Sequence, residues 1–133
     1  MPEELSLPIK SDADIVVARQ KGRALATDLG FSTTDATLIA TAISELARNI
    51  VSYARAGQIA LKAVMRGSTR GIMVTATDQG PGISNVSQAM QDGFSTSGSL
   101  GLGLPGVRRL ADEFQIDSKA WEGTKVVFKK WNV

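Results

Sequence analysis

Apolar and polar residues alternate from Leu5 to Ile9, with Pro8 near the end of the run, and this pattern predicts a short edge strand over 5–9. Ser11 or Asp12 then supplies an N-cap. Ile15, Val16, Leu25 and Leu29 follow as the inward face of a first helix, which Gly30 closes. A second start signal, Phe-Ser-Thr-Thr-Asp at 31–35, opens a longer helix that runs to about Ala54. Leu38, Ile39, Ala42, Ile43, Leu46, Ile50 and Tyr53 lie near one of its faces, and Gly57 is its stop. Strand-like composition over 58–66 and 71–77, joined by Gly67-Ser68-Thr69-Arg70, predicts an antiparallel hairpin. Beyond it come a short helix at 86–91, a stretch rich in Gly and Ser at 92–100, a helix at 104–114, and a second hairpin pairing 115–120 with 124–131 across 121–123.

This order of elements lacks the regular βαβ alternation of a doubly wound parallel fold. It predicts an α/β two-layer sandwich, a mixed and mostly antiparallel sheet with helices on one face. No internal repeat or interdomain linker interrupts the pattern. The 133 residues, 43% of them hydrophobic, suit a single domain over 1–133 with a sizeable core. Aromatic residues make up only 5%, so that core is expected to be aliphatic.

Charge narrows the picture less than it first promises. The isoelectric point is about 9.2, yet the formal charge is only +2. With no histidine and no cysteine, almost nothing titrates between the carboxylates and the lysines, so a small excess of base moves the isoelectric point far up. Basic residues are scattered and form no stripe interleaved with aromatics, which argues against a nucleic-acid partner. The lack of cysteine excludes disulfides and thiolate metal sites. No basic and apolar leader opens the chain, and no run approaches the roughly eighteen apolar residues of a membrane span. A cytoplasmic protein without a membrane partner is expected.

Candidate chemistry concentrates at 78–107, which holds seven of the thirteen glycines. Such density suits a ligand that touches main chain. Asp78 follows an apolar strand and precedes Gln79-Gly80-Pro81-Gly82, where a carboxylate above a bare turn can accept from the exocyclic amine of a purine. Gly101-Leu102-Gly103-Leu104 opens a helix whose first N–H groups suit an anion. Glu45 and Asn49, four apart, share one face of the second helix, where a carboxylate can orient a nucleophile and an amide oxygen can coordinate a hard cation. Each signal also has an ordinary reading: a solvated helix edge with Glu45 paired to Arg48, a plain turn at Asp78, a helix-start turn at Gly101. Gly101, Gly103 and Gly106 spell G-x-G-x-x-G, but the polar stretch 95–99 stands where the strand of a dinucleotide fingerprint belongs. No Gly-Lys-Ser or Gly-Lys-Thr of a Walker loop occurs in the chain.

Taken in this order and at these separations, Glu-Leu-Ala-Arg-Asn on a helix, Asp-Gln-Gly-Pro-Gly after a strand, Gly-Leu-Gly-Leu at a helix start and Gly123-Thr124 opening a later strand resemble the GHKL (Bergerat-fold) ATPase superfamily over residues 41–128. The resemblance implies ATP and Mg²⁺ as cofactors. It matches Glu45 to the general base, Asn49 to the magnesium ligand and Asp78 to the adenine-binding aspartate. Gly80 and Gly82 match the first glycine box, with Ile83 lining the base, Gly101, Leu102, Gly103 and Leu104 the phosphate-wrapping second box, and Thr124 the hydroxyl near adenine, with 92–100 as the lid. Ser99 stands where many relatives have a glycine, and Thr77 where an acidic residue is common. Without a histidine to accept phosphate and without large further domains, the chain is similar to the serine/threonine kinases of bacterial partner-switching modules. The runs 42–50 and 92–110 look like those of RsbT-type stressosome switch kinases. That subfamily implies a STAS-domain antagonist as substrate and a regulatory phosphatase as second partner. An anti-sigma factor that sequesters a sigma factor is the alternative. Arg48 is left between contact with the phosphates or partner and pairing with Glu45, and 95–97 and Arg108-Arg109 between lid or partner contacts and plain solvation.

Overall fold

The computed structural model describes residues 4–80, 103–118 and 123–133. The predicted helix at 86–91 and the lid at 92–100 lie outside these residues. Five strands and three helices are described: β1 (Glu4–Ile9), α1 (Asp12–Asp28), α2 (Thr33–Asn49), β2 (Gly57–Arg66), β3 (Thr69–Asp78), α3 (Gly103–Leu110), β4 (Glu113–Ser118) and β5 (Thr124–Trp131). The strands form one sheet in the order β1-β2-β3-β5-β4, each neighbouring pair antiparallel. β1 is an edge strand, as Pro8 requires. Among the described residues no helix is long and apolar enough to cross a membrane.

Strand alternation sends one set of side chains to the helices. Leu7 and Ile9, Ile59 and Leu61, Ile72, Val74 and Ala76, and Val126 and Phe128 are buried there with Ile39, Ile43, Leu46 and Ile50 of the second helical segment. Among the described residues the buried core is aliphatic but for Phe31, Phe128 and Trp131. Side chains two apart share a face. Asp78, two beyond Ala76, and Thr124, two before Val126, therefore fall on the helix side at one end of the sheet, paired across β3 and β5.

Several expected details differ. Val16 is 54% exposed and Leu38 and Tyr53 are each 40% exposed, so none of the three faces inward. α1 instead buries Ala18, Gly22 and Ala26, whose small side chains let it lie close against Ile43 of α2. Large apolar residues would hold the two helices apart, which is why the small ones take the central line. α2 starts as its sequence predicts, with Ser32 Oγ accepting the Asp35 N–H at 3.1 Å. It stops at Asn49, one π-helical turn (Ile50–Ala54) follows, and the chain leaves through Arg55 at φ 69°. Gly57 is not the stop but the first residue of β2. The first hairpin turns on Gly67-Ser68 alone, because Thr69 already pairs with Arg66.

The third helix ends at Leu110, not at 114. Lys130 Nζ donates to the Leu110 carbonyl at 3.1 Å, the Asp112 N–H donates to Lys129 O at 2.9 Å, and Phe114 pairs with Phe128 in the sheet. Sheet pairing that spans many residues overrides the local helical pattern here.

Gly57 sits where the sheet meets the π turn. A Cβ there would collide with the Thr77 carbonyl oxygen and come within 2.8 Å of Ile50 Cγ2. Gly→Ala ordinarily stabilises by about 0.4–1 kcal/mol through the unfolded chain. Gly57→Ala is expected to reverse that sign and cost about 1–3 kcal/mol through overpacking. A thermal melt checks it: a midpoint at or above that of the parent would show that this junction has room to spare.

Candidate functional site

Glu45 leaves α2 toward the interior and is only 3% exposed. A solvated edge is thus excluded. A carboxylate so deep is costly unless both oxygens are engaged. Oε1 accepts from Arg48 Nη1 at 2.7 Å, one turn further along the same helix, and Oε2 accepts the backbone N–H of Gly103 at 3.3 Å. The second contact joins residues 58 apart in sequence and seats the carboxylate at the N-terminus of α3, where the helix dipole favours negative charge. Among the described residues no buried side-chain nitrogen or oxygen lacks a hydrogen-bond partner. Asn49, the last residue of α2, is half-buried.

Asp78 closes β3, with Gly57 of β2 on one side and Thr124 of β5 on the other. Its Oδ1 accepts the Gly80 N–H at 2.9 Å, so the aspartate shapes the turn that follows it. Gly80 cannot carry a side chain, since a Cβ would lie 2.5 Å from Ala54 Cβ and 2.7 Å from Ala54 Cα. The turn after β3 is therefore stacked on the π turn that extends α2, and Asp78 is held against the same helical segment that carries Glu45 and Asn49. Partial burial raises the pKa of the Tyr53 phenol above its ordinary value.

Thr124, half-buried, lies beside Asp78, its Oγ1 2.8 Å from Ser118 Oγ, which in turn donates to the Gly123 carbonyl at 3.1 Å. Gly103 enters α3 at φ 67°, and the Leu104 side chain is buried in the core, so backbone is what this start of the helix offers a ligand. Arg108 and Arg109 are exposed on α3. Gly82, Ile83, Gly101, Leu102, the hydroxyls at 95–97 and Ser99 lie outside the described residues.

The structure thus brings Glu45, Asn49, Asp78, Gly80, Gly103 and Thr124 to one end of the sandwich, between α2 with its π turn, the ends of β3 and β5, and the start of α3. Ala54 and Ser118 were not legible as site neighbours. Ala54 matters only through the π turn, and Ser118 only through a cross-strand register. The i,i+3 spacing of Glu45 and Arg48 did signal their pair. Chemically, a buried carboxylate at the start of a helix can orient a hydroxyl beside an anion, and a carboxylate on a bare turn can accept from a ring amine.

Three comparisons bear on this arrangement. The histidine kinase-like ATPase domain matches residues 10–130. The serine/threonine-protein kinase RsbT of Bacillus subtilis is 52% identical over 131 residues, covering 98% of both chains. An anti-sigma F factor of Clostridium kluyveri is 27% identical over 119 residues, covering 85% of this chain and 82% of its own. Among solved structures, the mycobacterial sensor histidine kinase MprB superposes with a TM-score of 0.56 over 98% of this chain and 97% of its own; at 13% identity the likeness is one of fold.

Proposed function

Because the chain belongs to the histidine kinase-like (GHKL, Bergerat-fold) ATPase family, we propose that residues 1–133 act as one ATP-dependent protein serine/threonine kinase domain of a partner-switching stress response. Its substrate on this reading is a Ser or Thr hydroxyl of a STAS-domain antagonist in the cytoplasm, and its second partner is a regulatory phosphatase that it activates. The observation that carries the reading is the meeting of the buried Glu45 carboxylate with the Gly103 amide at the start of α3, which puts a base candidate beside an anion-binding helix end. The 52% identity to a serine/threonine-protein kinase supports the choice of acceptor.

The residues present suit a magnesium-nucleotide. Gly80 and its close contact with Ala54 keep side chains off one turn, Asp78 offers a carboxylate beyond the strand, and Gly103 offers main chain. Among the described residues no three His, Cys, Asp or Glu side chains gather as a metal cage, so Asn49 would share the cation with phosphate oxygens and water, as magnesium prefers. Bound Mg²⁺-ATP supplies the transferred phosphoryl group and the charge that neutralises it. Glu45 orients the substrate hydroxyl and takes its proton as that oxygen bonds to phosphorus and ADP departs. Asp78 reads the exocyclic amine of adenine, and Gly80, Gly82 and Ile83 shape the base-side wall. Gly101, Leu102, Gly103 and Leu104 present amides to phosphate, and Thr124 lends a hydroxyl near the base. Positioning and electrostatics dominate this chemistry, since little covalent work falls to the enzyme.

Incubation with γ-labelled ATP and candidate STAS proteins is expected to place label on a Ser or Thr of one of them. Labelling of none, with ATP bound, would sink the kinase reading. The 27% identity to an anti-sigma F factor supports a second reading, sequestration of a sigma factor, and co-purification with a sigma factor in place of STAS proteins would favour it.

A further inference from the structure

Resting on the kinase reading above, we infer that Arg48 is a positioning residue for that reaction, the permanent anchor of Glu45 when the other support of its carboxylate is withdrawn. The two oxygens of Glu45 have supports of different kinds. Oε1 is held by Arg48 Nη1 at 2.7 Å, within the same helix and three residues away, a geometry that persists as long as α2 does. Oε2 is held by the Gly103 N–H at 3.3 Å, across the fold and at the first residue of α3. A backbone N–H at a helix start is also what an incoming phosphate seeks, so the second support and the ligand draw on one donor.

When that amide turns to a phosphate, the charged donor that the described residues leave to a carboxylate whose side chain is 4% exposed is Arg48. Without it the carboxylate would stand buried, short of a partner and facing added negative charge, and would rotate away from the position in which it meets the substrate hydroxyl. Arg48, its side chain 36% exposed, reaches Glu45 from the rim of the site, where its aliphatic stem packs while its guanidinium fixes the carboxylate.

The test compares wild type with Arg48→Ala, Arg48→Lys and the Glu45→Gln variant with and without Arg48→Ala. ATP affinity is read by calorimetry, transfer by single-turnover labelling of the STAS substrate, and folding by circular dichroism and melting. Arg48→Ala is expected to bind ATP within about threefold of wild type while transfer slows by about 30-fold, on the scale of a misplaced reacting group. Arg48→Lys restores part of that loss, because an ammonium can pair with Oε1 without the guanidinium's fork. In the Glu45→Gln background Arg48→Ala adds less than about threefold, since it acts through the carboxylate. Equal transfer by wild type and Arg48→Ala overturns the inference, as does a parallel fall of affinity and rate, or a full additional loss on top of Glu45→Gln. If Arg48→Ala melts too low to assay, Arg48→Lys carries the decision: a wild-type rate, or a loss in affinity matching that in rate, overturns it. A wild type that binds ATP but labels nothing is the distinct outcome in which the kinase reading fails and takes this inference with it.

Discussion

Asp78→Asn should bind ATP at least about 100-fold more weakly than wild type while remaining folded. The expectation of a folded protein comes from the turn. Asp78 Oδ1 accepts the Gly80 N–H at 2.9 Å, and an asparagine carbonyl oxygen can do the same, so the stacking of Gly80 on Ala54 survives. What the substitution changes is the other position of the carboxyl group, where on the proposed reading an acceptor becomes an amide NH₂ that would meet the exocyclic amine of adenine donor to donor. A hydrogen bond to a charged group is worth about 1.5–3 kcal/mol, and an unmatched buried donor adds to the loss, which together reach or exceed two decades in affinity. Calorimetry with Mg²⁺-ATP measures this directly. Nucleotide binding at wild-type strength would remove Asp78 from the adenine site.

Glu45→Ala should fail in the opposite manner. Removal of the carboxylate frees the Gly103 amide and leaves Arg48, which is 36% exposed, able to hydrate, so the nucleotide is expected to bind as well as in wild type or up to a few fold more tightly. Phosphoryl transfer to the protein substrate, in contrast, should fall by about 10³-fold, the middle to upper part of the range for a lost general base. Single-turnover labelling at saturating ATP separates the two effects. Transfer at the wild-type rate by the variant would falsify the role given to Glu45. Read side by side, the two variants distinguish binding from chemistry, and no general loss of structure produces both patterns.

Much of the fold was legible from local pattern. β1, β5, the start of α2 at Ser32 and the first hairpin follow from alternation, capping and turn residues, each of which acts within a few positions of itself. What was illegible depended on partners far along the chain. Val16 looks as apolar as Ile15, but α1 buries Ala18, Gly22 and Ala26, with Gly22 against Ile43, and no local rule says how near a second helix will come. The end of α3 was misplaced because Phe114 obeys its cross-strand neighbour Phe128, not the helical spacing that precedes it.

The site divides in the same way. Glu45 and Asn49 on one helical face, Asp78 at the end of a strand and Gly103 at a helix start are consequences of periods of 3.6 and 2 and of turn chemistry, so the order of residues alone determined that these groups exist and which chemistry each offers. Only the tertiary structure decided that Glu45 is buried, that its carboxylate spans Arg48 and the amide of Gly103, and that Gly80 rests on Ala54. The physical reason is that burial and close approach are properties of packing between segments, in this case segments 26 and 58 residues apart, and hydrophobic periodicity specifies which face turns inward without specifying what will be waiting there.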